Sequence, residues 1–328
     1  MRCNGSFVLL FIFKNAKGLT TMLSIILPTY NEEGNIENAY HRIKEVLAPN
    51  HIDFELVFVN DGSKDRSFDK IRELADMVTD AKILGLSFSR NFGKEAAIFA
   101  GLSHATGDVC AVMDCDMQHP PETLVEMYDL WQQGFEIIEG VKHSRGKENI
   151  LYKSFAKLFY KLISRSTGIE MYRSSDFKML DRKVVDEYVK LPERNIFFRA
   201  LSSWLGYKSA IVEFDVQERT SGTTKWSVKS LVKYAIGSIC SFTTAPMQLI
   251  TFSGVIFFLF ALVLGIQSIA KWISGNALEG FTTVILLLLI TGSLIMISLG
   301  IIGYYLARIY EEIKGRPRCI VDEVVKNG

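Results

Sequence analysis

The chain carries almost no net charge. Its 37 Lys and Arg nearly cancel 36 Asp and Glu over 328 residues, a formal +1 at pH 7, so no global field draws it towards nucleic acid. Cysteine is sparse and scattered: Cys3, Cys110, Cys115, Cys240 and Cys319 form no metal-type Cys-x-x-Cys pair. That suits free structural thiols in a reducing compartment. Neither Gly-x-x-x-x-Gly-Lys-Ser/Thr nor Gly-x-Gly-x-x-Gly occurs, which leaves a P-loop and a standard dinucleotide fingerprint unsupported. Internal repeats and low-complexity segments are absent too. The apolar run Phe7–Phe13 is too short to cross a bilayer and lacks a clear small-residue cleavage site. Residues 1–21 therefore read as an upstream extension or a mistaken start, with an interfacial anchor as the alternative, and folding information begins at Met22.

From Met22 onwards, apolar runs alternate with helical patterns. Leu23–Leu27, Phe54–Val59, Ile83–Phe88, Val109–Met113 and Ile137–Val141 read as strands. Asn35–Leu47, Ser67–Met77, Lys94–Ala105 and Glu122–Gln132 carry apolar residues at helical spacing. Such alternation predicts an α/β domain, a mostly parallel sheet with helices on both faces. In such sheets ligands bind beyond the carboxyl ends of the strands, and the polar motifs fall there.

Those motifs are Pro28-Thr29-Tyr30-Asn31-Glu32-Glu33 after the first strand and Asn60-Asp61-Gly62-Ser63 after the second. Ser89-Arg90-Asn91-Phe92-Gly93-Lys94 follows the third, and Asp114-Cys115-Asp116-Met117-Gln118-His119-Pro120-Pro121-Glu122 the fourth. Glu32 and Asp61 can accept hydrogen bonds from a base or ribose, and Arg90 and Lys94 can answer phosphate charge. Each loop alone is also ordinary turn chemistry; four at one sheet edge point to a shared site. Asp114 and Asp116, one residue apart as the chain leaves a buried strand, can converge on one hard cation. Mg2+ and Mn2+ favour such oxygens and complete their shell with phosphates and water.

In their order these motifs resemble family-2 glycosyltransferases of the GT-A (Rossmann-like) fold. Within them the similarity is to the polyprenyl-phosphate hexosyltransferases, which include bactoprenol glucosyltransferases and dolichol-phosphate mannose synthases. The resemblance covers nearly everything after Met22. It implies donor-nucleotide contacts at Pro28, Tyr30, Glu32, Asp61, Lys94 and Asp114. It also implies a Mg2+ or Mn2+ site at Asp114, Asp116 and Gln118, with Asp116 serving catalysis. Asn60 and His119 depart from the Asp that many relatives carry, which weakens any transfer of nucleotide preference. Asp176, in Tyr172-Arg173-Ser174-Ser175-Asp176-Phe177, falls where relatives place a candidate catalytic base. A phosphomonoester acceptor is already largely dianionic at neutral pH, so Asp176 could instead orient the sugar or a basic partner.

Between these motifs and the C-terminal third, Ile150–Arg165 spaces Lys153, Lys157, Lys161 and Arg165 four apart, opposite Leu151, Phe155, Leu158, Phe159 and Leu162. This pattern is a basic amphipathic helix suited to a headgroup layer, or a surface helix packed on the domain. The polar stretch Glu218–Trp226 resembles the family's closing loop, with Arg219 and Lys225 supplying charge; a plain linker is the alternative. Lys153, Arg219 and Lys225 are the candidates for acceptor phosphate and diphosphate.

Finally, Met247–Ala270 and Gly280–Ala307 are uncharged and long enough to span a membrane. Lys225, Lys229 and Lys233 precede them, and Arg308, Lys314, Arg316 and Arg318 follow. The positive-inside rule then puts both ends and the catalytic domain in the cytoplasm. The expected organisation is an extension (1–21), a GT-A catalytic domain (22–226) and a juxtamembrane helix (227–246). A two-helix transmembrane domain (247–307) and a cytoplasmic tail (308–328) complete it.

The expected enzyme is an inverting hexosyltransferase at the cell membrane. It would move glucose from UDP-glucose, or mannose or an N-acetylhexosamine from its own nucleotide, onto polyprenyl (undecaprenyl) phosphate for envelope glycans. Membrane lipids, a flippase and a downstream glycosyltransferase are the implied partners, nucleic acid is not, and a homo-oligomer stays open. A processive polysaccharide synthase is disfavoured by the missing Gln-x-x-Arg-Trp and by only two spans. A non-catalytic membrane scaffold is disfavoured by the retained acidic and basic sites.

Overall fold

Apolar runs without polar alternation call for a sheet covered on both faces, and the chain builds one. The computed structural model describes residues 21–142, 175–193, 197–215, 245–274 and 280–327. Strand β1 (Met22–Thr29) is followed by α1 (Ile36–Leu47), β2 (Asp53–Asn60), α2 (Ser67–Met77) and β3 (Lys82–Phe88). Then come α3 (Lys94–His104), β4 (Val109–Val112), α4 (Glu122–Gln132) and β5 (Ile137–Lys142). Every strand and helix expected up to this point is present, with ends displaced by at most two residues. Beyond it lie β6 (Lys178–Asp181), α5 (Arg182–Lys190), α6 (Phe198–Trp204) and β7 (Ser209–Phe214). Two long helices, α7 (Ala245–Ile273) and α8 (Phe281–Ile313), precede a last strand, β8 (Val321–Lys326).

The eight strands among the described residues form one sheet in the order β7-β5-β6-β4-β1-β2-β3-β8. β1 lies parallel to β2 and β4, β2 to β3, and β5 to β7. β6 runs against β4 and β5, and β8 against β3. The mostly parallel sheet is thus a mixed one. Successive side chains alternate between its faces. Leu23, Ile25, Leu27, Leu56 and Phe58 pack with Ile36, Ile43, Ile71 and Leu124 on one side. Ile26, Val57 and Val59 pack with Ala97, Ile98, Val184 and Phe198 on the other. A Cβ at Gly101 would collide with the Ile26 side chain, so glycine lets α3 settle close against β1. That close seat brings the N-terminus of α3, with Lys94, to the carboxyl end of β4.

Within the segment expected as a cytoplasmic tail (308–328), residues 308–313 finish α8 and Val321–Lys326 return to the sheet as β8. β8 pairs along the outer edge of β3, and Ser89 N–H donates to Ile320 O at 3.1 Å. The Asn327 side chain accepts from Ile83 N at 2.6 Å and donates to Val78 O and Ala81 O at 2.7 and 2.8 Å. The segment was invisible as a strand because its pairing groups come from β3, far away in the chain.

In α7 and α8, 29 and 33 residues long, the apolar stretches Ile250–Gln267 and Leu287–Ile313 have mean hydropathies of 2.2 and 2.1. At 1.5 Å per residue each helix exceeds the roughly 30 Å bilayer core, and large apolar side chains such as Phe258 and Leu289 stand exposed along them. Both are candidate membrane spans. The expected basic helix at 150–165 lies outside the described residues. So does the juxtamembrane helix at 227–246, except for 245–246, which begin α7.

Candidate active site

Four strand ends converge on a cavity of about 410 Å3 lined by Pro28, Thr29, Tyr30, Glu32, Asp61, Asn91, Gly93, Lys94, Ala97, Asp114, Cys115 and Asp116. All the residues expected to contact the donor are therefore in one place. Gln118 is not in the lining; its backbone N–H donates to Asp116 Oδ1 at 3.1 Å. Lys153, Arg219 and Lys225 lie outside the described residues.

Asp61 anchors the β2 side. Its buried carboxylate accepts from Phe92 N at 2.6 Å and from Gly93 N at 2.9 and 3.1 Å, so it shapes the loop leading into α3. Burial raises its pKa, against the pull of those two N–H groups. The next residue, Gly62, adopts φ +63°, and a Cβ there would strike the backbone of Arg90. Only glycine allows the β2 and β3 loops to approach so closely.

The acidic turn after β4 is held from behind. Asp114 N–H donates to His119 Nδ1 at 3.3 Å. The buried His119 ring stacks on Phe177, with centroids 4.7 Å apart and planes 10° apart, and meets the edge of Phe214 at 5.5 Å. Burial lowers its pKa, so the neutral ring serves as acceptor. Met117 takes φ 56° in the same turn, an uncommon backbone for a non-glycine residue.

A second layer of charge faces this turn. Lys94 Nζ lies 2.5 Å from Asp114 Oδ1 and 3.0 Å from Asp176 Oδ2. Burial works against its charge, but the two carboxylates raise its pKa further than burial lowers it. The Arg199 guanidinium grips Asp176 with both arms, Nε to Oδ1 at 2.6 Å and Nη2 to Oδ2 at 3.0 Å. Burial pushes Asp176 towards protonation, yet Lys94 and Arg199 hold it well below the usual carboxylate range. Asp114 is likewise lowered, burial being outweighed by Lys94. Glu95 accepts from Phe198 N at 2.9 Å. It is pushed up to about 7, by burial first and by the Asp176 charge second.

Arg199 and Glu95 were not among the expected site residues. Neither belongs to a motif, and only the fold carries Arg199 on α6 to Asp176. The spacing of Glu95, next to Lys94 at the start of a helix, was the one available signal.

The donor set fits a hard divalent cation of a particular kind. Asp114 and Asp116 offer carboxylate oxygens on one turn, while among the described residues no group of three or more His, Cys, Asp or Glu converges. Mg2+ and Mn2+ need about six oxygens, so most of the shell would come from phosphates and water. The site suits an ion arriving with a diphosphate and not one caged by protein.

A cleft at the strand ends of a mixed α/β sheet, with an acidic turn inside it, defines a GT-A-like transferase architecture. The chain belongs to glycosyltransferase family 2: the profile described as "Glycosyl transferase family 2" matches residues 24–189. It is 39% identical over 308 residues to an uncharacterized glycosyltransferase of Synechocystis sp., covering 93% of this chain and 96% of the relative. It is 36% identical over 306 residues to the prophage bactoprenol glucosyl transferase homolog of Escherichia coli K12, covering 93% and 99%. Among solved structures it is similar to a mannosyltransferase from Pyrobaculum calidifontis, at 18% identity over 65% of each chain with a TM-score of 0.42. The protein is a glycosyltransferase.

Proposed function

We propose that the protein transfers glucose from UDP-glucose to polyprenyl phosphate at the cytoplasmic face of a cell membrane. The observation that carries this is the path of the chain from α8 back to the cleft. β8 starts opposite Phe88, the last residue of β3, at the carboxyl edge where Asp61 and Asp114 lie. Seven residues, 314–320, separate it from the end of α8. At full stretch they reach at most about 25 Å, so the cleft is tethered near the bilayer surface, where a lipid phosphate sits. The Escherichia coli relative named a bactoprenol glucosyl transferase homolog, aligned over 93% of this chain, supports the same acceptor and sugar.

In this reading the Asp61 edge receives the nucleoside. A divalent cation held by Asp114 and Asp116 would neutralise the diphosphate as it departs. Lys94 keeps Asp114 ionised and oriented. A dianionic lipid phosphate needs no base, and Asp176, neutralised by two cations, is a poor proton acceptor. Its role is to present Arg199 to the acceptor phosphate, while Lys94 faces the diphosphate from the donor cavity. An oxygen of the lipid phosphate bonds to the anomeric carbon as the bond to the diphosphate breaks, the electron pair leaving with the nucleotide and the configuration inverting.

The test uses the full chain in lipid nanodiscs with labelled UDP-glucose, undecaprenyl phosphate and Mn2+. Label should enter the lipid fraction as a single sugar, fall to background with chelator, and return with Mn2+ or Mg2+. Transfer from GDP-mannose or UDP-N-acetylglucosamine alone would replace glucose as the sugar. A growing polymer, or no transfer from any of the three, would sink the proposal. Transfer insensitive to Asp116→Asn would remove the metal assignment.

A further inference from the structure

Lys178 is fully buried on β6, an expensive place for an ammonium unless it is paired and hydrogen-bonded. Its Nζ lies 3.1 Å from Arg199 O, 3.0 Å from Ser202 Oγ and 3.1 Å from Ser203 Oγ, all on α6. Its ionic partner is Glu139 on β5, 3.4 Å away. The other oxygen of Glu139 accepts from Ser175 N at 2.9 Å. Ser175 Oγ in turn donates to Gly140 O at 2.5 Å and accepts from Phe177 N at 3.1 Å.

One ion pair therefore grips two backbones. Glu139 holds the residue before Asp176, and Lys178 holds the main chain of Arg199. Asp176 and Arg199 form a two-armed contact between different elements, β6's leading segment and α6. Such a contact keeps its geometry only if both backbones are fixed. We propose that the buried Glu139–Lys178 pair is a positioning device that sets Arg199 and Asp176 in register for the transfer step. The proposal rests on the assignment of Asp176 and Arg199 to the acceptor side of the site.

Neither residue touches the donor cavity, so their loss should separate turnover from donor binding. Lys178→Met and Glu139→Gln, each in the full chain in nanodiscs, are compared with wild type for kcat, KM for the sugar nucleotide and thermal unfolding. Lys178→Met should lower kcat about 10- to 100-fold, the scale of a small misplacement of reacting groups, with the donor KM within about twofold. Glu139→Gln keeps an acceptor for Ser175 N but loses the charge, and should fall between the two. If Lys178→Met does not fold, the Ser202→Ala, Ser203→Ala double variant removes two of the three α6 contacts and should lower kcat alone. Wild-type kcat in a folded Lys178→Met or in the double serine variant would overturn the proposal, as would a parallel loss of donor affinity. Asp176→Asn separates the two levels. If it turns over like wild type, the underlying site assignment fails. If it is impaired while Lys178→Met is not, only the positioning role falls.

Discussion

Glu95 shows how one carboxylate can make the protein's stability follow pH. Burial and the Asp176 charge push it from an ordinary value near 4.5 up to about 7. A raised carboxylate favours folding while protonated, so its contribution is complete below about 4.5 and is lost as the pH climbs through about 7. In melting curves of the full chain in detergent, Glu95→Gln should gain stability over wild type as the pH rises from 5 to 8. A difference from wild type that stays constant over that range would contradict the assignment. Tyr188 offers a contrasting case. Its hydroxyl is buried with no hydrogen-bond partner among the described residues, while its ring packs against Phe198 and Phe99. Removing an unsatisfied hydroxyl relieves a desolvation cost of about 1 kcal/mol. Denaturant unfolding should therefore find Tyr188→Phe as stable as wild type or more so.

At the scale of elements, glycine and a borrowed strand decide how the cleft is held. Gly62→Ala would force a side chain into φ +63° and against the Arg90 backbone. The conformational part alone costs about 1–2 kcal/mol, and the clash would push the β3 loop off Asp61. Nucleotide affinity measured by calorimetry should fall along with melting temperature. β8 covers the open edge of β3, which is otherwise a row of unpaired backbone groups. Arg72 ties it further, 2.7 Å from Glu323 across 251 positions of sequence. Asn327→Ala removes three side-chain hydrogen bonds from the end of this strand. It should cost about 1–3 kcal/mol, seen as a lower denaturation midpoint with β3 amides exchanging faster. The legibility of these features differs. Gly62 stands in the turn motif Asn60-Asp61-Gly62-Ser63, where the need for a glycine is legible. β8 could not be read, because Val321–Lys326 is a short mixed segment whose partner strand, β3, lies far away in the chain.

For the whole molecule, the short link from α8 to β8 is the quantity to perturb. Gly315 turns the chain with φ +59° just after the helix, and Arg318 then stacks over the Phe99 ring at 3.9 Å. A flexible insertion between Gly315 and Arg316 leaves those contacts in place while loosening the proposed tether to a bilayer. Ten glycine and serine residues there should raise the apparent KM for polyprenyl phosphate several-fold, as the acceptor's effective concentration falls. Binding of UDP should not change. An equal effect on both substrates would show that the link shapes the cleft instead of tethering it.

Local pattern alone determined the strand–helix alternation, the two long apolar helices and the four polar loops around Glu32, Asp61, Lys94 and Asp114. Period, run length and turn chemistry are properties of neighbouring residues, so they survive in a linear string. Tertiary structure alone decided that Lys94 bridges Asp114 and Asp176, that Arg199 grips Asp176, and that a buried lysine stands behind both. Those charges are tolerated inside the protein only because segments distant in sequence deliver their partners, and nothing local to any one of them announces it.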